Sequence, residues 1–204
     1  MVRQERAVRT RQALLDAAAE EFDRHGYDGT SLNRVCRAAG ITIGALTFHF
    51  STKAELADAV QTQGQIITRA ALGRMPARPA PALHRAVDLM LELARLLEAE
   101  STVRSAARLS RERPEPALAW TASWLISAQD LFEDAYLEGQ LNAGVRPASL
   151  VSLSAYLTVG VECRARAEHE DPLAADREPG AVDELRQLWD MIQYGISRRP
   201  ATSL

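Results

Sequence analysis

A helical repeat of apolar residues recurs along most of the chain, and it is the strongest constraint on the fold. Side chains three or four residues apart lie on one face of an α-helix. This spacing is found in three segments: Leu14, Leu15, Ala18 and Phe22; Leu89, Leu93, Leu96 and Leu97; and Leu125, Ala128, Leu131, Phe132 and Ala135. Aromatic residues make up only 5% of the chain, and no stretch of period two is bounded by hairpin dipeptides. The sequence therefore predicts an all-α fold.

A proline-rich segment, residues 74–81, interrupts the helical pattern. Proline removes a backbone donor and clashes with the preceding turn, so a helix ends near it. We therefore expect an N-terminal helical domain of residues 1–56, a connecting helix that continues to about residue 73, and a C-terminal helical bundle of residues 74–204.

Composition and motifs exclude several classes of protein. Of the 204 residues, 47% are hydrophobic and 25% are charged, which is typical of a globular protein. No apolar run approaches the roughly 20 residues of a membrane span, and no apolar segment follows the N-terminal arginines as a secretory signal requires. Cys36 and Cys163 lack metal-ligand spacing, the four histidines are scattered, and no nucleophile or phosphate motif is found. We expect a cytoplasmic protein that is not an enzyme and holds no cofactor or metal.

Positive charge is concentrated near the N-terminus. Residues 1–56 carry eight basic and seven acidic side chains, whereas the remainder has a net charge of −4. Between Gly29 and Lys53 the chain has Arg34 and Arg37 and no acidic residue. At physiological salt a phosphate is attracted mainly by the charges close to it. A locally positive stretch can therefore bind polyanions even though the whole chain has a net negative charge. A solvated helix face is the alternative explanation of this charge.

Two short helices are predicted just after Gly29. Thr30 or Ser31 caps a helix over 32–39 that ends at Gly40, and Thr42 caps a second helix over 43–49. The tetrapeptide Thr-Lys-Ala-Glu at 52–55 is a capping box that opens a longer helix. Two short helices joined by a tight turn form a helix-turn-helix, whose second helix enters the major groove of DNA.

The second short helix has side chains suited to reading DNA. Gly44 and Ala45 are small enough to allow close approach to the base edges. Thr42 and Thr47 can hydrogen-bond bases or phosphates, and their methyl groups can contact thymine methyls.

At these positions the chain resembles the tetracycline-repressor (TetR) family of bacterial transcription regulators. The resemblance covers the first quarter of the chain and rests on Thr10-Arg11, Ala17-Ala18, Phe22, Gly26-Tyr27, Thr30-Ser31, Ala38-Ala39-Gly40, Gly44, Phe48-His49-Phe50 and Lys53 to Leu56. The triplet Phe48-His49-Phe50 and the opening Gln4-Glu5-Arg6-Ala7 are similar to the γ-butyrolactone receptor branch. The resemblance implies a three-helix DNA-binding domain followed by a helical bundle for ligand binding and dimerisation.

Residue chemistry and the resemblance together predict the DNA contacts. They are Arg6, Arg9, Thr30, Ser31, Arg34, Thr42, Ile43, Gly44, Thr47, His49 and Lys53. Resembling sequences usually have lysine at position 43 and tyrosine at position 47, and both of these residues grip phosphates. We expect Ile43 and Thr47 to alter operator preference or weaken binding while the fold is retained. His49 has a second interpretation, in which it orients the motif against the core.

The resemblance also implies an effector cavity in the bundle and a dimer formed by its last two long helices, expected at about 148–167 and 182–197. The predicted ligand-binding residues are Leu89, Leu93, Trp120, Trp124, Phe132 and Thr158. Core packing is an alternative role for all of them. Trp120 and Trp124 lie one helical turn apart, and the sequence leaves open which of them faces the ligand. The predicted dimer faces carry Leu150, Leu153, Leu157, Val161, Leu185, Leu188, Ile192 and Ile196, while Glu162 is either a pocket acceptor or an interface residue.

The combined prediction is a homodimeric repressor that binds double-stranded operator DNA and is released by a small molecule such as a γ-butyrolactone-type signal. Two alternatives remain open. One is a pseudo-receptor that senses an antibiotic or another metabolite. The other is a ligand-binding protein whose DNA-binding head is degenerate.

Overall fold

The computed structural model describes residues 2–75, 79–115, 117, 119–170 and 180–197. In these ranges the chain forms nine α-helices and one 3₁₀ turn, with a single isolated bridge between Leu141 and Ser197. The elements are α1 (Val2–Gly29), α2 (Leu32–Ala39), α3 (Ile43–His49), α4 (Lys53–Gly73), α5 (Ala82–Ala99), α6 (Ser101–Glu112), the 3₁₀ turn (Trp120–Ser123), α7 (Leu125–Leu137), α8 (Pro147–Glu170) and α9 (Ala181–Ile196). The all-α prediction is confirmed. Every helix in the described part of the chain is too short or too polar to cross a membrane.

The helices form two compact units whose bounds differ from the predicted domains. The first unit comprises residues 1–69 and 99–123, and the second comprises residues 70–98 and 124–204. The difference arises because α6, which follows the proline-rich segment, packs against α1. Residues 76–78 of the proline-rich segment and residues 171–179, between α8 and α9, lie outside the described residues.

The core of the first unit is built from the apolar faces of its helices. All four apolar residues of the first predicted repeat are buried, and α2, α3, α4 and α6 add side chains to the same cluster. The largest fully buried members are Phe22, Phe50, Leu14, Leu46, Leu56 and Leu109. The helical periodicity of the sequence thus predicted which face of α1 is buried.

A buried ion pair joins α6 to α1. Arg104 Nε donates to Asp23 Oδ2 at 2.8 Å, and the two side chains are 4% and 7% exposed. Arg108 Nη1 also donates to the backbone carbonyl of Asp23 at 2.7 Å. Removing one partner of such a pair leaves an uncompensated buried charge, so the pair holds α6 in one position on α1.

The second unit packs α5, α7, α8 and α9 around an apolar core. Phe132 of α7 and Trp189 of α9 stack with their ring centres 6.3 Å apart, and both are fully buried. The expected last two helices are confirmed as α8 and α9. Leu150, Val161 and Leu185 are buried inside the unit, whereas Leu188 is 38% exposed and the other four residues of the predicted dimer faces are half-buried, namely Leu153, Leu157, Ile192 and Ile196. The dimer faces therefore stay a prediction.

Candidate functional site

The helix-turn-helix segment has the bounds that the sequence predicts. Ser31 Oγ accepts from the Arg34 N–H at 3.3 Å, and Thr42 Oγ1 accepts from the Ala45 N–H at 3.3 Å. Gly40 ends α2 in the left-handed region, with φ at 65°, where a side chain is disfavoured. Of the two proposed caps for α2, Ser31 is the one used. These local interactions shape the turn between α2 and α3.

The capping box at the start of α4 is also present. The Glu55 N–H donates to Thr52 Oγ1 at 3.1 Å, and the Ser51 N–H donates to Glu55 Oε2 at 2.8 Å. Two backbone donors that a helix start leaves unsatisfied are therefore bonded to side chains.

Two of the predicted DNA contacts are turned inward. Thr30 is 2% exposed and its hydroxyl donates to the Glu21 carbonyl at 3.0 Å, so a DNA contact through this side chain is wrong. Lys53 Nζ donates to the carbonyls of Tyr27 at 2.9 Å and Thr30 at 3.1 Å, and it lies 4.2 Å from the centre of the Tyr27 ring. Lys53 thereby fastens the start of α4 to the end of α1, a geometry that favours a positioning role over a phosphate contact.

The outward face of α3 is apolar. Ile43 is 46% exposed and Phe48 is 81% exposed, and Gly44 and Thr47 are exposed between them. The Thr47 hydroxyl donates to the Gly44 carbonyl at 3.1 Å. His49 is half-buried and meets the Phe48 ring edge-on, with the ring centres 5.1 Å apart. The part of α3 that a DNA groove can reach therefore carries no arginine, lysine or carboxylate.

Exposed positive charge in the first unit lies on α1 and α2. Arg6 and Arg9 are exposed on the first turns of α1, so the arginine-rich N-terminal segment is helical. Arg34 Nε lies 3.5 Å from Glu21 Oε2. Arg37 is exposed and forms no ion pair with any described residue. The sequence prediction omitted Arg37 as a contact, although its place in an acid-free stretch was a signal for it.

A surface groove runs beside these residues on α2 and α3. Its lining includes Ser31, Asn33, Cys36, Arg37, Gly40, Ile41, Thr42 and Ile43. Cys36 lies within α2, and burial raises the pKa of its thiol, which favours the neutral form. The groove therefore combines one unpaired guanidinium with uncharged polar and apolar groups.

Tyr27 connects this site to the end of α6. The Tyr27 N–H donates to Glu112 Oε2 at 2.6 Å, and the Arg113 guanidinium lies 4.6 Å from the Tyr27 ring centre. Gly26 adopts φ of 68°, and a Cβ there would lie 2.6 Å from Glu112 Oε1. Burial raises the pKa of Glu112, but the Tyr27 N–H and Arg108 outweigh it and hold the pKa below its ordinary value. The end of α6 thus bonds to the end of α1 through a charged carboxylate.

The predicted ligand-binding residues are divided between the two units. Trp120 is buried in the 3₁₀ turn of the first unit, where its Nε1 donates to Thr68 Oγ1 at 2.9 Å. Trp124 precedes α7 as its N-cap in the second unit. The one-turn helical spacing that would place both indoles on one face is therefore wrong. The other predicted ligand residues are buried in the second unit with Trp124, namely Leu89, Leu93, Phe132 and Thr158.

A row of buried polar residues follows the inner face of α8. Ser154, Thr158 and Glu162 are four residues apart and all are buried. Thr158 Oγ1 donates to the Ala155 carbonyl at 2.8 Å, and Glu162 Oε1 lies 3.6 Å from Arg166 Nη1. Polar groups in an apolar core are costly unless they are bonded, and Thr158 and Glu162 meet this cost with partners on their own helix.

A cavity of about 220 Å³ opens between α8 and α9, lined by residues from 156–164 and 181–188. None of the six predicted ligand-binding residues lines it. Their role in binding therefore stays a prediction. In the described part of the chain, no three His, Cys, Asp or Glu side chains are grouped so as to hold a metal ion.

Comparison with known proteins agrees with this geometry. Residues 14–60 match the family of bacterial regulatory proteins named tetR. The A-factor receptor protein of Streptomyces griseus is 41% identical over 63 residues, which are 31% of this chain and 23% of that relative. The chain therefore matches about a quarter of the length of this curated relative.

Two groups of solved structures match the chain over nearly its whole length. A γ-butyrolactone receptor, described as ArpA-like, superposes with a TM-score of 0.75 and 27% identity, covering 95% of this chain and 90% of that one. CprB from Streptomyces coelicolor, a TetR-family protein solved with its operator sequence, superposes with a TM-score of 0.73 and 26% identity, covering 95% and 91%. Residues 14–60 are therefore similar to the N-terminal domain of the tetR family of bacterial regulatory proteins. The overall fold of the chain resembles that of the γ-butyrolactone receptors.

Proposed function

We propose that this protein is a ligand-responsive transcriptional repressor that binds operator DNA as a dimer and is released by a small molecule such as a γ-butyrolactone. The observation that carries the proposal is the pair of capped helices α2 and α3 in a tetR-family domain. Arg37 on α2 and Arg6 and Arg9 on α1 are exposed in the same unit. Each guanidinium that neutralises a phosphate releases a counterion, which supplies affinity for DNA of any sequence.

The second unit offers a surface for dimerisation. Tyr156 on α8 and Met191 and Tyr194 on α9 are exposed, and the two helices pack against each other. Exposed apolar side chains on two adjacent helices supply the apolar area that a protein interface buries. A two-fold dimer presents two copies of α3 to half-sites about 34–36 Å apart. We therefore assign the interface to these outward residues together with Leu188 of the predicted faces, which is 38% exposed.

The effector is assigned to the interior of the second unit. Leu89, Leu93 and Phe132 supply apolar walls, Trp124 supplies a flat indole, and Thr158 supplies a polar group. Ligand pockets combine mostly apolar walls with a few polar groups in this way. Operator DNA is released if the ligand binds best to a form of the dimer in which the spacing of the two α3 helices does not match the two half-sites. A coupling free energy of about 1–3 kcal/mol, or roughly 5- to 150-fold in operator affinity, is typical.

A gel-shift series tests the proposal. The purified protein is titrated against the intergenic DNA upstream of its own gene at several salt concentrations, and a scrambled duplex of equal length is the control. We expect selective retention that weakens as salt rises and is reversed by a γ-butyrolactone. The absence of selective retention at the lowest salt contradicts the proposal. Release by an antibiotic but by no γ-butyrolactone identifies the pseudo-receptor instead.

A second candidate function is favoured by Ile43 and Thr47. The usual lysine and tyrosine grip phosphates, and neither replacement can do so in the same way. In this alternative the chain binds a ligand, but the helix-turn-helix formed by α2 and α3 does not bind DNA. Calorimetric binding of a γ-butyrolactone together with equal retention of operator and scrambled DNA supports this alternative.

A further inference from the structure

The outward face of α3 has an unusual chemistry for a helix that reads DNA. Ile43, Thr47, Gly44 and Phe48 are exposed, and at 100° per residue they occupy one continuous arc of about 140°. Nothing lies within 4 Å of a Cβ built on Gly44, so the backbone is open to close approach at the centre of this arc. We call these four residues the reading arc.

Hydrogen-bonding capacity on the reading arc is small. The single hydroxyl proton of Thr47 is donated to the Gly44 carbonyl, which leaves the hydroxyl oxygen of this exposed side chain as an acceptor only. Ile43 and Phe48 have no polar side-chain atoms. Guanine is usually recognised in the major groove by two donors from one arginine or lysine, and the arc contains neither residue. Apolar groups recognise instead the C5 methyl group of thymine.

We propose that the reading arc recognises thymine methyl groups, and that Ile43 and Phe48 select T·A pairs at the base steps beneath α3. The proposal rests on the repressor function proposed above and specifies the sequence that the repressor reads. Its occupant is the major groove of duplex DNA, because the arc lies next to Arg37 on α2 in a stretch without acidic residues. Arg37 supplies affinity for phosphates, while Ile43 and Phe48 supply the discrimination between bases.

The test begins with a DNA change that leaves the protein intact. A duplex is selected from random sequences with the wild-type protein, and each thymidine in a half-site is replaced in turn by deoxyuridine, which lacks only the methyl group. Burial of one methyl-sized group corresponds to about three- to fourfold in affinity. We expect a loss of this size at two or more thymines in each half-site and no loss at thymines outside the contacted steps.

Protein variants then assign the methyl contacts to residues. Ile43→Ala should weaken binding to the thymidine duplex and abolish the deoxyuridine penalty at one position, and Phe48→Ala should do so at another. Ile66→Ala is the matched control, since Ile66 on α4 is 50% exposed and lies outside the arc. Ile43→Lys should raise affinity for all duplexes and lower the preference for the selected one.

The outcomes separate this inference from the repressor function itself. If selection enriches no sequence, both are overturned. If a sequence is enriched but every deoxyuridine duplex binds like its parent, the repressor function stands and thymine recognition is overturned. Equal deoxyuridine penalties for the wild type and for Ile43→Ala and Phe48→Ala overturn the assignment to the reading arc. Circular dichroism of each variant verifies that it is folded.

Discussion

The two units of the chain differ in how much their buried polar groups link separate segments. In the first unit several such groups bond between segments: Arg104 to Asp23, Thr30 to the Glu21 carbonyl, and Trp120 to Thr68. Each unit also buries polar atoms without a hydrogen-bond partner among the described residues: the Ser105 hydroxyl in the first unit, and the Ser154 hydroxyl and the Trp189 indole N–H in the second. A buried donor without a partner costs about 1–3 kcal/mol.

This difference teaches what each unit is suited to do. A DNA-binding surface needs exposed contact groups on helices that are held in place by interactions in the core. The hydrogen bonds between buried groups of the first unit hold its helices in this way. A ligand site needs buried polar groups whose partner is the ligand. The Ser154 hydroxyl and the indole of Trp189 fit that need. The five predictions below test the contrast, beginning with the largest expected effect.

Removing the charge of Arg104 should destabilise the first unit strongly. Arg104→Met leaves Asp23 buried without its ion-pair partner, and we expect a loss of about 3–5 kcal/mol in the free energy of unfolding. Urea denaturation followed by circular dichroism measures it. Arg186→Met is the control, because Arg186 is exposed and its 3.9 Å pair with Asp183 is worth about 0–1 kcal/mol. Equal urea midpoints for the two variants would contradict the claim that the buried pair between Arg104 and Asp23 stabilises the first unit.

The two tryptophans should have separable roles. Trp124→Ala should raise the γ-butyrolactone concentration that releases operator DNA, within the roughly 5- to 150-fold range of allosteric coupling, because Trp124 belongs to the second unit. Trp120→Phe should leave release unchanged and lower the free energy of unfolding by about 1–3 kcal/mol, because it removes the bond to Thr68. Release that depends on Trp120 and not on Trp124 would reverse the assignment.

Arg37 should contribute to the salt dependence of DNA binding, whereas Lys53 should contribute to stability. Arg37→Ala should reduce the slope of log affinity against log salt by about one per protomer. Arg34→Ala should reduce it less, since Arg34 pairs with Glu21. Lys53→Ala should lower the melting temperature because it removes two carbonyl bonds. Arg85→Ala, an exposed change on α5, is the control, and a slope change there equal to that of Arg37→Ala would refute the assignment.

Loss of the α2 cap should have a smaller effect. Ser31→Ala removes the acceptor for the Arg34 N–H and should cost about 1 kcal/mol in the free energy of unfolding. Ser31→Asp restores an acceptor at the same position and serves as the matched control. If Ser31→Ala melts like the wild type while Ser31→Asp is less stable, the cap does not stabilise α2.

The smallest effect concerns pH. Because the folded pKa of Glu112 lies below its ordinary value of 4.5, the charged carboxylate stabilises the fold above that value. This contribution should decline as the pH falls from 4.5 through the lower folded pKa, and Glu112→Gln should lack this part of the pH dependence. Melting temperatures of the wild type and Glu112→Gln across this range measure it. Parallel profiles would show that the bond to Tyr27 does not stabilise the unit.

The bounds of α2 and α3 were predictable to the residue because their signals are local. Ser31, Gly40 and Thr42 each act on backbone within a few positions, so a short window of sequence contains the whole interaction. The bonds that the Lys53 and Thr30 side chains make to backbone carbonyls of the first unit were not predictable in this way. Their partners on α1 are up to 26 residues away in sequence.

The same reasoning explains the errors elsewhere in the chain. The position of α6 depends on the contact between Arg104 and Asp23, 81 residues apart, and no local pattern signals it. Residues 120–123 form a 3₁₀ turn within a stretch whose apolar spacing resembles that of a helix. For α8 and α9, periodicity predicted the helices correctly but not that Leu150, Val161 and Leu185 are buried in the core of the unit, since several faces of both helices carry apolar residues.

Hydrogen exchange with and without operator DNA tests the central claim most directly. The protein is exchanged alone, with its selected operator duplex, and with a scrambled duplex of equal length. The account predicts that the operator slows exchange of the amides in residues 29–50, and that the scrambled duplex slows it much less at the same salt. Equal exchange of residues 29–50 in all three samples, with operator-dependent protection confined to the second unit, would contradict the assignment of DNA reading to α2 and α3.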